Sequence, residues 1–151
     1  MIAWMSPALM LVALLPPTAV DGPVVETVTL EGEVVLLAEA LGPFGLPEQQ
    51  GPIADQVVLK RAGGEIIPLL YNVGSRAFFE DGRLRNRPAE LVARRLEGLP
   101  YLQVVSARVA DESGALRIPE YYCDICTISV RYDQPCPCCQ APMELRFKPE
   151  D

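Results

Sequence analysis

The sequence predicts a mainly β fold: a small Greek-key barrel with one short helix, followed by a cysteine-bearing β-hairpin. From Glu26 onward, short runs rich in Val, Ile, Leu and Thr alternate with segments containing Gly, Pro and Asp, the pattern of strands joined by turns. Half of the 151 residues are apolar, enough for a sizeable core. All five cysteines lie after residue 122. We therefore predict a β domain over residues 26–118 and a small cysteine-bearing unit over residues 119–148.

Residues 1–22 are predicted to form a signal peptide or an N-terminal apolar segment. The run from Met1 to Leu15 is apolar and too short for a standard membrane helix, and a cleavage site of small residues could lie near Ala19. A basic n-region is missing, so an uncleaved anchor or a mis-set start is the alternative. The expectation is a periplasmic or otherwise exported protein, with membrane contact only through an uncleaved segment.

The first predicted strand covers residues 27–39 and is broken or coiled at Gly32. A Gly- and Pro-rich loop follows over residues 42–52. Residues 56–61 and 65–71 then flank the turn Ala-Gly-Gly as a β-hairpin. This part of the chain is therefore predicted to contain three strands.

Residues 88–98 have two interpretations. Proline at the start and glycine past the end favour a short helix, whereas the apolar residues Leu91 to Ala93 would equally suit a strand. A further strand is predicted over residues 101–109, and residues 114–118 lead into the cysteines. This order of elements resembles an OB-fold barrel, in which the first strand curls at a glycine. An open β-sheet with one helix is the alternative.

The cysteines form two C-x-x-C pairs, Cys123 with Cys126 and Cys136 with Cys139, separated by nine residues. Each pair would place two sulfurs on one side of a tight turn, and residues 127–135 read as a strand and a turn that could bring the pairs together. Four thiolates facing one another suit zinc, or iron in a rubredoxin-like site.

Cys138 is left over as a possible extra metal ligand or a spare thiol, because it could replace Cys139 in the second pair. Zinc is the expected metal, with iron or copper as alternatives. Residues 119–148 carry few apolar side chains, so bound zinc, worth roughly 10 kcal/mol in zinc-finger peptides, would offset their chain entropy. The rival interpretation is two disulfides and one free thiol in an oxidising compartment.

The cysteine region resembles the heavy-metal-binding domain of bacterial metal efflux proteins, which has a Tyr-x-Cys-Pro-Met-His start followed by Cys-Pro-x-Cys-Gly-Met. It is also similar to the Cys-Pro-x-Cys-Gly knuckles of zinc ribbons and rubredoxins. The residues that carry this resemblance are Tyr122, Cys123, Cys126, Val130, Pro135, Cys136, Pro137, Cys139, Pro142, Met143 and Leu145. Cys126 replaces the histidine of the efflux domain, and Gln140 stands where a knuckle has the glycine that tolerates a positive φ. A barrel followed by such a knuckle is similar to a family of bacterial exported proteins without an assigned activity.

The overall charge and the absence of histidine exclude some classes of function. The net charge is −7 and histidine is absent, which excludes His-based acid–base catalysis and makes nucleic acid an unfavourable partner. No constellation of serine, cysteine or carboxylate residues suggests a catalytic site. We therefore expect a protein that is not an enzyme.

A local exception to the negative charge is a run of six arginines. They are Arg76, Arg83, Arg85, Arg87, Arg94 and Arg95. The first four are candidates for binding a small anionic ligand or an acidic partner protein, because guanidinium groups bind carboxylate or phosphate bidentately. The alternative is a solvated surface whose arginines pair with nearby glutamates.

These observations predict an exported metal-binding protein with a structural zinc ribbon and an OB-like domain that binds a partner or ligand. The alternative is a rubredoxin-like iron redox protein, or a soft-metal-handling protein, that uses the same cysteines.

Overall fold

Two antiparallel β-sheets form the framework of the computed structural model, which describes residues 25–45 and 53–149. The predicted mainly β class is confirmed. The predicted signal segment, residues 1–22, lies outside the described residues, as does part of the Gly- and Pro-rich loop. Among the described residues, no helix has the length and apolar character needed to cross a membrane.

The first sheet has six strands in the order β3-β2-β1-β4-β5-β6. These strands are β1 Val25–Leu36, β2 Val57–Lys60, β3 Ile66–Pro68, β4 Pro88–Leu96, β5 Leu102–Ala110 and β6 Leu116–Arg117. Two short α-helices connect them, α1 Leu37–Leu41 and α2 Arg76–Glu80. Single turns of 3₁₀-helix follow the α-helices at Gly42–Phe44 and Gly82–Leu84.

The first four strands have a Greek-key arrangement, because β1, β2 and β3 are sequential neighbours and β4 returns to the other side of β1. The predicted hairpin is confirmed as β2 and β3. Beyond β3, Leu69 forms a single parallel bridge with Leu102, and the Leu70 N–H donates to the Leu102 carbonyl at 2.9 Å. The described residues form no closed barrel, so the predicted barrel is not confirmed.

β1 changes partners along its length, and this change lies next to Gly32. Residues 25–33 pair with β4 and residues 33–36 pair with β2. A side chain at Gly32 would place its Cβ 2.5 Å from the Lys60 carbonyl oxygen, so only glycine fits this close approach. The predicted break at Gly32 is therefore a change of partner within one continuous strand.

The helical interpretation of residues 88–98 is wrong. These residues form β4, which pairs with β1 on one side and β5 on the other. Ala89, Leu91 and Ala93 are buried at alternate positions, so a period of two governs the segment despite its proline and glycine boundaries. The helices lie instead at α1 and α2.

The second sheet contains three strands, β7 Pro119–Cys123, β8 Ile128–Val130 and β9 Glu144–Phe147, in the order β8-β7-β9. The expected C-terminal hairpin is thus β7 with β8, and β9 adds a third strand. Buried residues of both sheets form one apolar cluster, in which Leu91 and Val104 join Tyr121 and Met143. The cysteine region therefore packs on the main core.

Candidate metal centre

The first cysteine pair lies in the tight turn between β7 and β8. Cys123 ends β7, and the N–H of Thr127 donates to the Cys123 carbonyl at 2.8 Å. Thr127 has a φ of 55°, in the left-handed region, which lets the chain reverse directly after Cys126. The turn thus holds the two cysteines of the first pair side by side.

The second cysteine pair repeats this geometry. The N–H of Gln140 donates to the Cys136 carbonyl at 2.9 Å, and Gln140 has a φ of 61°. A further hydrogen bond from the Cys136 N–H to the Ala141 carbonyl, at 2.9 Å, reinforces the turn. Gln140 therefore adopts the conformation for which a knuckle normally has glycine, and the two turns are structurally equivalent.

The two turns bring together the four sulfurs that the sequence singled out. The Sγ atoms of Cys123, Cys126, Cys136 and Cys139 all lie within 4.8 Å of one another, and those of Cys123 and Cys139 are 3.6 Å apart. A tetrahedral zinc site with Zn–S bonds of about 2.3 Å has sulfur–sulfur edges of about 3.8 Å. These four residues could therefore hold a metal ion.

Burial differs across the cluster. Cys123 and Cys136 are buried, Cys126 is partly buried, and Cys139 is exposed. Cys138 is also exposed and lies outside the group of four. A hydrogen bond with the Cys138 sulfur is nevertheless the largest influence that raises the pKa of Cys126, so the fifth thiol lies beside the cluster. The inner half of the cluster is part of the core, and the outer half faces solvent.

Backbone N–H groups favour negative charge at the inner sulfurs. The N–H of Cys139, assisted by that of Cys138, lowers the pKa of Cys136 to about 6. At Cys123 the N–H of Cys126 acts in the same direction, but burial and the sulfurs of neighbouring cysteines outweigh it and raise the pKa. A metal ligand must be a thiolate, so these N–H groups suit a site that concentrates negative charge.

Strand alternation gives the two tyrosines before the first turn different roles. Tyr121 and Cys123 share the face of β7 that contributes to the core. Tyr122 lies on the other face, where the guanidinium of Arg146 stacks 3.2 Å from its ring centroid. Arg146 also pairs at 2.7 Å with Glu120, which is buried. Only Tyr121 therefore belongs to the same buried cluster as the inner cysteines.

A buried polar network joins β7 to the segment after α2, which leads into β4 of the first sheet. The sequence did not reveal this network. The Tyr121 hydroxyl donates to Asp81 at 2.6 Å, and Arg83 binds the same carboxylate through its side chain at 2.7 Å and its backbone N–H at 2.9 Å. Burial alone would raise the pKa of Asp81, but the hydrogen bonds from Arg83 and Tyr121 outweigh it and lower the pKa to about 2.

The arginines of the predicted anion site have separate surroundings. Arg76 pairs with Glu80 at 2.7 Å and lies over the ring of Tyr132, and Arg85 donates to the Phe78 carbonyl at 3.0 Å. Arg83 and Arg87, in contrast, line one groove. The exposed residues Arg94 and Arg95 lie further along β4.

The four-sulfur cluster is the feature of the described residues with the most definite chemistry. It combines two equivalent turns, four close sulfurs and inward-pointing N–H groups. No protein-family model, curated protein or solved structure matches the chain.

Proposed function

We propose that this chain is a non-enzymatic metal-binding protein in which Cys123, Cys126, Cys136 and Cys139 hold one structural zinc ion. The observation that carries the proposal is the mutual approach of the four sulfurs within 4.8 Å. Four protein thiolates would fill a tetrahedral zinc site and leave no position for a catalytic water. The metal would therefore stabilise the fold rather than perform chemistry.

A second candidate is a rubredoxin-like iron protein or a carrier of a soft metal such as copper. Iron uses the same set of four thiolates. The exposure of Cys139 and Cys138 favours exchange, because an incoming acceptor could reach the metal from this side. This candidate differs from the first in the identity and the lability of the metal.

We further propose that the first sheet is an OB-like binding domain and that the protein is exported. The Greek-key order and the parallel bridge from Leu69 to Leu102 support an OB-like domain, since an OB fold is a partly open Greek-key barrel. Such a domain would bind a partner protein or a small anionic ligand. Export is proposed only from the apolar sequence of residues 1–22.

The test is metal analysis of the full chain and of two single variants. Wild-type protein is expected to contain one tightly held zinc ion per chain. Cys139→Ser is expected to lose most of this zinc, whereas Cys138→Ser, the matched control at the neighbouring exposed cysteine, is expected to retain it. Both replacements lie at the surface, so neither disturbs the packing of the core.

Other outcomes would contradict the zinc proposal in different ways. A red iron chromophore, or copper that leaves readily to a chelator, would favour the second candidate. Metal-free protein with a single titratable thiol would indicate two disulfides. Full retention of zinc by both variants would show that Cys138 can replace Cys139 as a ligand.

A further inference from the structure

A groove with a volume of about 560 Å³ lies beside three arginines from different segments, Arg83, Arg87 and Arg117. Leu145 and Phe147 of β9 provide apolar surface in the same groove. The groove thus lies at the junction of the two sheets. Its volume is typical of sites that accept small organic molecules.

Two of the three guanidinium groups are held in place by carboxylates. Arg83 is bound by Asp81, and Arg117 by Asp111 with a distance of 2.7 Å. Asp111 itself accepts hydrogen bonds from the backbone N–H groups of Ser113 and Ala115 at 2.8 and 3.1 Å. These contacts orient two cations toward a shared groove before any ligand arrives, which lowers the entropy cost of binding.

Arg87 differs from its two neighbours. Its guanidinium is partly buried, donates to the Ala110 carbonyl at 3.2 Å and lies 5.9 Å from the ring of Phe147. Within residues 25–45 and 53–149, Arg87 forms no ion pair. A partly desolvated charge without a counter-ion is unfavourable. An anion that binds beside Arg87 would therefore be stabilised more strongly than an anion beside an arginine that is already paired.

We propose that this groove binds a small organic anion, whose carboxylate or phosphate contacts Arg87 while its apolar part packs on Phe147. The inference specifies the ligand-binding part of the proposed function and does not depend on the metal. It also changes the composition of the anion site predicted from the sequence. Arg76 and Arg85 have other contacts, and Arg117, which is distant in sequence, joins Arg83 and Arg87.

The groove also contains opposing charge. The carboxylate of Asp111 is neutralised by Arg117, but Glu112, in the loop between β5 and β6, is exposed and forms no ion pair among the described residues. Its charge would repel an anion in the groove. Removing the Glu112 charge should therefore strengthen binding, and removing the Arg87 charge should weaken it.

The test is calorimetric titration of the full chain with phenyl phosphate at constant ionic strength, with inorganic phosphate as the second probe. Arg87→Gln is expected to weaken phenyl phosphate binding by about tenfold, the effect of one lost charge-assisted contact. The matched control, Arg94→Gln, removes the same charge from an exposed position of β4 and should leave the affinity unchanged. Glu112→Gln should increase the affinity for phenyl phosphate a few-fold.

Three results would overturn the inference: no binding of phenyl phosphate, equal losses in the Arg87 and Arg94 variants, or equal affinity for inorganic phosphate. Glu112 is an exposed loop residue, so its variant remains informative even if Arg87→Gln fails to fold. Metal content should be measured in every sample. If a metal-free chain binds phenyl phosphate, the groove proposal is supported and the zinc proposal is contradicted. If a zinc-loaded chain does not bind phenyl phosphate, the zinc proposal is supported and the groove proposal is contradicted.

Discussion

At Gln140 and Thr127 the two cysteine turns require the same unusual backbone conformation. Both residues have a positive φ, 61° and 55° respectively, and both donate the hydrogen bond that closes their turn. The left-handed region costs roughly 1–2 kcal/mol for a residue with a Cβ atom. The turns therefore store strain at two positions where glycine would store none.

Gln140→Gly is expected to raise the free energy of unfolding by up to about 1 kcal/mol, because the relief of strain exceeds the entropy cost of glycine. Chemical denaturation of the metal-loaded chain measures the change. Gln134→Gly is the matched control: Gln134 has no positive φ, so the same replacement should be neutral or destabilising. A loss of stability at position 140 equal to that at 134 would contradict the strain argument.

At the scale of residues, the sequence was most informative where chemistry depends on local spacing. The C-x-x-C pattern predicted which four sulfurs meet, and it favoured Cys139 over Cys138, as the structure places them. The arginines were different, because the sequence could not show that Arg117 lies beside Arg87 or that Arg85 faces a carbonyl. The first contact depends on how distant segments pack, and the second on how the chain turns after α2.

Between elements, a buried polar link joins the turn after α2 to β7. The Tyr121 hydroxyl and Arg83 both bind the carboxylate of Asp81, which is buried. The pKa of Asp81 is about 2 in the folded chain, below its ordinary value of 3.8. Because the folded pKa is lowered, the stabilisation is complete above about pH 4 and is lost as the pH falls toward 2.

Tyr121→Phe is expected to reduce the free energy of unfolding at pH 7 by about 2 kcal/mol, the value of a hydrogen bond to a charged group. The difference from wild type should narrow as the pH falls from 4 toward 2, since protonation of Asp81 weakens the same contact. Denaturant melts over this pH range measure it. Tyr101→Phe, at a partly buried tyrosine without a hydroxyl partner among the described residues, should change little at any pH. A difference that stays constant with pH would exclude Asp81 as the cause.

The elements themselves were predicted where apolar, β-branched runs are bounded by turn residues. The hairpin of β2 and β3 has both signals, and β5 is a run rich in apolar residues. β4 was ambiguous because Pro88 and Gly98 are also helix boundary signals. Pro88 is tolerated as the first residue of a strand, and pairing on both sides of β4 supplies the decisive stabilisation, which a local pattern does not contain.

For the whole molecule, the main difference from the sequence-based prediction concerns the independence of residues 119–148. Their few apolar side chains suggested a separate unit that needs a metal or disulfides to hold it together. In the structure, Tyr121, Cys123, Cys136 and Met143 belong to the same buried cluster as the first sheet. The core is therefore shared, and the sulfurs at its inner edge connect the candidate metal site to both sheets.

If the four cysteines bind zinc as proposed, this shared core predicts the effect of removing the metal. Bound zinc can contribute roughly 10 kcal/mol, which is comparable to the whole stability of a domain. Treatment with a chelator is expected to accelerate amide hydrogen exchange at Tyr121 in β7 and also at Val104 and Leu91 in the first sheet, because these residues pack in one cluster. The same chelator saturated with zinc is the control and should have no effect. Faster exchange confined to residues 119–148 would show that the first sheet keeps its core without them, and that the two sheets unfold as separate units.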